Sequence, residues 1–586
     1  MQHANLDLDL DRSRMAARLE NETRHAEIVI THIQTVTLYI GFASDTVMAS
    51  SIKDAQDVDN KNLLGRTQSH IPDLVEDTIV QDFGYEPAYR RVFSSLGSMS
   101  LTLAMASPMC GVFVAVNYQI TYGGYWGLTW GWLVPALLFL PWALTTAEFC
   151  SAMPVNGANY WWTAALAPPS ISRPISFIAG MANVMNALTS IASMAWASSS
   201  ALCTIISLYN GWEPTNAVMF GIAWALCLLW FVMASMKMAN ASQLYIGSAS
   251  IVLITSVVFF IALPVSQSVQ AVPFAPASRV FGEYANFSDW NEPVAVPMTW
   301  FTAAWVITGW NAASAVAEET HNARIVAPRS IVTTYCLMSV MGFLVCVLLA
   351  FCIPDIEAAA LDPSGFPALA LLIERWGRNA GVAFLLVIFL NTAIGGGAVL
   401  VMMSCQTAAF ARDGGLLCNA QLSRISPRSN MPVHTCVLLT GGGMLMLCLA
   451  FSPVASGTIY SLDVIAVMVL YALPMAFRIL DAGEGGRRWV PGPWNYGRLS
   501  VPIHVVGLVT VLYMTVLECF PPEAHWTAAT LNYNWAVLIG AVMLSAVMWF
   551  AHGTHSYKGP DQEMLAAWRS HQITQGVDTI IDGIRP

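Results

Sequence analysis

The sequence predicts an all-α integral membrane protein with twelve membrane-spanning helices, two of them broken. Three observations carry this. Hydrophobic residues make up 56% of the 586 and charged residues only 11%, far below the roughly 25% charged content of soluble domains. Apolar runs of about 20 residues, the length that crosses a bilayer, recur from Val92 onward. The stretch from Trp300 to Ser330 reads as an apolar helix that breaks at Thr308-Gly309-Trp310-Asn311 and leaves the membrane through Glu318-Glu319-Thr320-His321-Asn322 toward Pro328. Unwound backbone in hydrocarbon leaves N–H and C=O groups unpaired, so a break is tolerated only where it lines a cavity or binds something. The expected occupant is a small polar solute.

In order, the spans fall at 92–117, 127–151, 174–207, 215–235, 242–264, 297–319, 330–353, 380–406, 432–451, 456–477, 500–519 and 531–551. Residues 1–91 differ in kind, with acidic and polar runs at 7–11 and 54–59 and no secretory signal, and read as a disordered tail. Residues 552–586 form a second tail. Cytoplasmic loops retain Lys and Arg. An inside N-terminus puts Arg90, Arg91, Arg173, Lys237, Arg324, Arg329, Arg412, Arg424 and Arg428 on the cytoplasmic side, with only Arg279, Arg375 and Arg378 outside. Both termini are then cytoplasmic. The same topology exposes Asn286-Phe287-Ser288, a glycosylation acceptor pattern, in the outer loop between the fifth and sixth spans.

Composition also excludes function classes. A net charge of −10 argues against nucleic-acid binding. Most of the twelve cysteines lie inside the spans, where Cys acts as a small hydrophobe, and none makes a CxxC pair, so no metal site or cofactor is expected. No HExxH, GxSxG or clustered His or Cys supports an integral membrane enzyme.

Several strings carry a family resemblance. Ala147-Glu148 through Pro154-Val155-Asn156-Gly157-Ala158-Asn159-Tyr160-Trp161-Trp162, followed by Leu166-Ala167-Pro168-Pro169, resembles the second-span exit of permeases of the amino acid, polyamine and organocation superfamily. Val316 to Asn322 with Ala327-Pro328-Arg329 resembles the sixth-span exit, and Ala409 to Gly415 the eighth. Tyr557-Lys558-Gly559-Pro560 is similar to the C-terminal pattern of the fungal branch that carries γ-aminobutyrate, amino acids and choline. Departures are Gly157-Ala158 where Gly-Gly is usual, Ser404-Cys405 where Ser-Arg is frequent, and Leu416-Leu417 where Pro follows the double Gly.

The resemblance implies a transporter fold of two inverted five-helix repeats, about 92–264 and 297–477, with extra helices at 500–519 and 531–551. It places the substrate where the first and sixth helices break. The residues supply two matching interruptions: Ala106-Ser107-Pro108-Met109-Cys110-Gly111 in the first span and Thr308-Gly309 in the sixth. Half-helix N-termini suit a carboxylate and exposed carbonyls suit an ammonium. Ser107, Met109, Cys110, Gly111, Thr308, Gly309, Trp310 and Asn311 are the candidate binding residues. Trp310, or Trp305, offers an aromatic face for an ammonium or else fills a wall between helices. Asn183, Asn186 and Asn391 face either the cavity or another helix. Asp463, two turns into the tenth span, either pairs an amine or proton or is a hydrated carboxylate near the interface. Glu148, Glu318 and Glu319, near cytoplasmic ends, are expected to pair with nearby Arg residues and stabilise an inner gate.

The function this predicts is secondary active transport of an amino acid or related amine, such as γ-aminobutyrate or choline, with the lipid bilayer as the other partner. A nutrient sensor using the same pocket is the alternative. Resemblance to fungal permeases favours a proton over sodium as coupling ion and the plasma membrane over the vacuolar membrane.

Overall fold

A computed structural model describes Gln81, Tyr85 and residues 91–451, 458–527, 531, 533–567 and 569–570. The expected N-terminal tail lies almost wholly outside the described residues, as does the C-terminal tail beyond residue 570. The described chain is helical, apart from one parallel bridge between Phe93 and Thr320.

The principal helices are α1 (Ser95–Ala106), α2 (Pro108–Leu138), α3 (Leu140–Ala152), α4 (Ala158–Leu166), α5 (Pro169–Asn210), α6 (Asn216–Ala234) and α7 (Met238–Val269). After a connection with two short helices come α8 (Trp300–Ile307), α9 (Ala312–Ala315), α10 (Ala323–Cys352), α11 (Pro367–Trp376) and α12 (Arg378–Arg412). The chain ends with α13 (Val433–Met446), α14 (Thr458–Gly483), α15 (Ser500–Leu517) and α16 (Asn534–Met548). Local signals set these limits: Ser94 caps α1 through the Gly97 N–H, Pro108 and Pro169 open α2 and α5, and left-handed Gly211 closes α5.

Among the described residues, ten helical stretches are long and apolar enough to cross a membrane. The expected twelve runs differ from this for a physical reason. Ser95–Ala152 forms one stretch of 58 residues, well over the roughly 20 residues a single crossing needs, and is interrupted at Ser107 and at Gly124, whose φ is 58° and ψ −136°. The expected span 297–319 has too little continuous helix to count, because it is divided into α8, α9 and a short 3-10 turn at Ala317–Glu319.

Helices α1, α2, α5, α8, α12 and α14 occupy the centre, with α12 against α5 and α1, α8 against α2, and α14 against α5 and α15. Helices α15 and α16 are peripheral and expose Val505, Val509, Val516, Ile539, Met543 and Val547, an apolar surface of the kind lipid tails cover. Helix association in lipid has no hydrophobic drive and relies on close fit between small residues. In α12, Gly395-Gly396-Gly397 provides it: a Cβ on Gly395 would overlap the Ala104 carbonyl of α1, and one on Gly396 the Trp230 indole of α6.

Ala158, which stands where the resembling permeases have a second glycine, is held at φ 43° and is 1% exposed. Left-handed backbone costs a side-chain-bearing residue roughly 1–2 kcal/mol. Ala158→Gly is therefore expected to raise the thermal unfolding midpoint of the purified protein; an equal or lower midpoint would show that this strain is absent.

Candidate functional site

The first break lies between α1 and α2. Pro108 has no N–H to donate and takes the first helical position of α2, while Ser107 ahead of it adopts φ 33° and ψ 71°, a strained conformation for a non-glycine residue. The Ser107 N–H closes α1 on the Leu103 carbonyl at 3.0 Å. No side chain caps α2, so the positive end of its dipole is left for an external partner.

The second break follows Ile307. Thr308 is extended, its hydroxyl donating to the Trp305 carbonyl at 2.6 Å, and Gly309 turns the chain at φ 99° before α9 begins. The two breaks are packed together. A Cβ on Gly309 would overlap Met105 Cε of α1, and one on Gly111 would lie 2.9 Å from both methyls of Val306 in α8.

Between them lies a cavity of about 120 Å³, lined by six of the expected residues: Ser107, Cys110, Gly111, Thr308, Gly309 and Asn311. Met109 and Trp310 are not in its wall. Met109 is buried in the core at 2% exposure, and Trp310, at 1%, stacks on Tyr471 with ring centroids 5.1 Å apart and meets Tyr335 edge-on at 6.3 Å. The wall tryptophan is Trp305, whose Nε1 donates to Ser193 Oγ at 3.2 Å.

Asp463 lines the cavity and accepts a hydrogen bond from Ser190 Oγ at 2.5 Å. It is thus a carboxylate of the cavity wall. Of the asparagines expected to face either the cavity or another helix, Asn186 lines the cavity, and sequence reasoning passed over Ser190, Ser193, Ser198, Thr392 and Tyr471, which line it too. Among the described residues, Asn186 Oδ1, Ser198 Oγ and Tyr471 OH are buried without a hydrogen-bond partner. Unsatisfied buried polar atoms are costly and rare, and three around one cavity mark a place where a polar solute or water completes them. Asn183 does not line the cavity; Asn391 Oδ1 accepts from Ser248 Oγ at 2.8 Å, joining α12 to α7.

A second centre gathers most of the strings that carried the resemblance. Arg412 makes a bidentate pair with Glu318, at 3.0 and 3.1 Å, and its guanidinium lies 4.0 Å over the Tyr85 ring. Asn156 joins both acids: its backbone N–H donates to Glu318 Oε1 at 3.0 Å, and its side-chain amide donates to both oxygens of Glu319. Tyr85 and Tyr160 donate to Asp413 at 2.9 Å, and the Lys558 N–H donates to its backbone carbonyl at 3.0 Å. Burial pushes the Asp413 carboxyl up to about 6, against the opposing pull of Arg412 and the two phenols.

Of the three expected Glu–Arg pairs, only Glu318 has one among the described residues. Glu319 relies on Asn156 and on the Cys405 thiol at 3.7 Å. Glu148 is elsewhere, accepting from Ser500 Oγ at 2.9 Å and the Tyr496 N–H at 3.3 Å, because the 484–499 connection folds back onto α3. In the connection between α7 and α8 the Asn286 amide donates to the Trp290 carbonyl at 2.6 Å, and its oxygen accepts from Ser288; the acceptor pattern is engaged in its own turn.

Gly309→Leu is expected to abolish solute uptake while the protein still reaches the membrane, since a side chain there enters Met105 and cannot hold the turn. Undiminished uptake by that variant would remove the break from the pathway. Glu318→Gln removes the charge that holds Arg412, and loss of one partner of a buried pair costs on the order of 3–5 kcal/mol. It is expected to open the end of the bundle at Asp413, read as faster labelling of the cavity thiol Cys110 by an impermeant maleimide applied to that side of membrane vesicles. An unaltered labelling rate would mean that the pair does not hold this end shut.

Comparison with known proteins shows the family of the sequence. The amino acid permease family model matches residues 95–542. An uncharacterized amino-acid permease of Schizosaccharomyces pombe is 26% identical over 505 residues, covering 86% of this chain and 88% of the relative. The GABA-specific permease of Saccharomyces cerevisiae is 25% identical, over 83% of this chain and 86% of its own length. Amino-acid permease 2 of Neurospora crassa is 26% identical, over 83% and 89%. With its apolar helices and a family match across most of its length, the chain is a multi-pass membrane protein that belongs to the amino acid permease family.

Proposed function

We propose that this permease is a secondary active transporter that works by alternating access and carries an amino acid or a related amine such as γ-aminobutyrate or choline, with a proton as the coupling ion. The observation that carries the reading is the cavity at the junction of the two breaks. It is bordered by the uncapped N-terminus of α2 and the C-terminus of α8. One suits a carboxylate and the other an ammonium, so a zwitterion is neutralised without a basic side chain. The relatives that transport amino acids or, by name, GABA support the same class of solute.

Alternating access draws support from the Glu318–Arg412–Asp413 centre, a set of ion pairs and hydrogen bonds among separate segments that can be made and broken as a unit. Under this reading Ser95–Ala152 supplies two crossings and α8 with α9 a further one, which gives twelve. The Asp413 end is cytoplasmic by the charge bias, and the plasma membrane is the site of action.

Purified protein in liposomes loaded at high pH and diluted into low pH is expected to accumulate labelled γ-aminobutyrate or another amino acid above the external concentration, and a sodium gradient alone is expected to give none. Accumulation that follows sodium would replace the proton. Solute binding with no uptake under either gradient would return the chain to the nutrient-sensor class.

A further inference from the structure

Among the residues that line the cavity, Asp463 is the only Asp, Glu, Lys, Arg or His. A lone carboxylate in a low-dielectric enclosure is stabilised by a cation or by uptake of a proton, and its surroundings are built from acceptors and hydroxyls that suit an ammonium. Ser190 Oγ donates to it, and Ser193, one turn further along α5, takes the Trp305 Nε1 donor and keeps its own hydroxyl proton to give. One turn the other way is Asn186, whose Nδ2 is spent on Met403 Sδ and whose Oδ1 is buried and unpartnered. Residues 186, 190 and 193 share one face of α5.

This group stands on helices other than those that carry the breaks. Asp463 sits on α14, which packs against α5, whereas the N-terminus of α2 belongs to the pair formed with α8. Trp305, one turn ahead of the second break, links the two through its bond to Ser193, with its ring edge-on to Tyr460 at 5.8 Å. An α-amino acid carries its ammonium next to its carboxylate, so both groups are met at the breaks and Asp463 is left without a partner. A solute whose positive charge is several bonds from its carboxylate satisfies both places.

We propose that Asp463, Ser190, Ser193 and Asn186 form a cation subsite distinct from the carboxylate position at the α2 N-terminus, so that the permease selects solutes whose positive charge lies remote from the carboxylate, ω-amino acids being the smallest of them. The proposal rests on the substrate cavity described above as the binding site, but not on transport.

The test compares γ-aminobutyrate with its isomer 2-aminobutyrate, which has the same atoms and charges and differs only in where the amine sits. Binding to the full-length protein in detergent is read from ligand-induced thermal stabilisation. The wild-type protein is expected to bind γ-aminobutyrate at least about tenfold more tightly, the worth of one charge-assisted contact. Asp463→Asn is expected to bring the ratio close to one, Asp463→Glu to restore part of it, and Ser190→Ala to lower it about threefold. A wild-type ratio of one or below, or a ratio unaltered in Asp463→Asn, overturns the subsite. Should Asp463→Asn fail to purify, the wild-type ratio and Ser190→Ala decide. Because the readout is binding, a protein that binds selectively and does not transport keeps the subsite and loses the permease reading, whereas one that transports both isomers alike loses only the subsite.

Discussion

Unpaired backbone inside hydrocarbon is the constraint on which the rest of this structure depends. Two helices are interrupted at Ser107 and at Thr308–Gly309, and neither interruption survives facing lipid. The fold solves this by setting each against the other helix: Gly111 of α2 abuts Val306 of α8, and Gly309 abuts Met105 of α1. The contacts are crossed, so neither break can be straightened without displacing its counterpart. What remains between them is a small space whose walls carry backbone ends and hydroxyls, which is why the site forms here.

The Glu318–Arg412 end of the bundle answers a different problem, how to bury charge. Glu318 and Glu319 are adjacent and both largely buried, a repulsive pair unless each has its own partner. Arg412 serves the first and the Asn156 amide the second, while the Asn156 backbone ties the two together. A buried ion pair of this kind gains little net stability once desolvation is counted. Its use lies in register: it joins the segment after α3, the end of the α8–α9 region and the end of α12, and no other arrangement of those segments satisfies the same atoms.

Much of this was legible in the sequence, and the exceptions have causes. Apolar runs, Pro108 and the Thr308-Gly309 pair located both breaks, because these residues act on the backbone locally. The strings around Glu148, Glu318 and Arg412 marked one end of the bundle, but only the fold could show that Glu148 partners the connection before α15 while Glu318 partners Arg412. Trp310 was read toward the cavity and Trp305 held as second choice, yet the structure reverses them. The unwound turn between α8 and α9 resets the helical phase, so no periodicity carried across it predicts which side a residue takes. Ser190 and Ser193 were hidden for another reason: α5 is rich in serine and alanine, and small polar residues also serve helix packing in lipid. Residues 1–80 lie outside the described structure, so their reading as a tail stays where the sequence left it.

Trp310 nevertheless belongs to the site's mechanics. Its ring rests on one face of Tyr471, and Tyr471 lines the cavity on α14, two turns beyond Asp463. The break, the aromatic stack and the carboxylate thus form one contiguous path: backbone at Gly309, indole at 310, phenol at 471, helix α14, carboxylate at 463. Cores packed to this density shift between discrete arrangements instead of deforming smoothly. Trp310 therefore joins the broken segment to α14 through one buried aromatic stack, a contact that needs a large flat ring set behind the cavity wall.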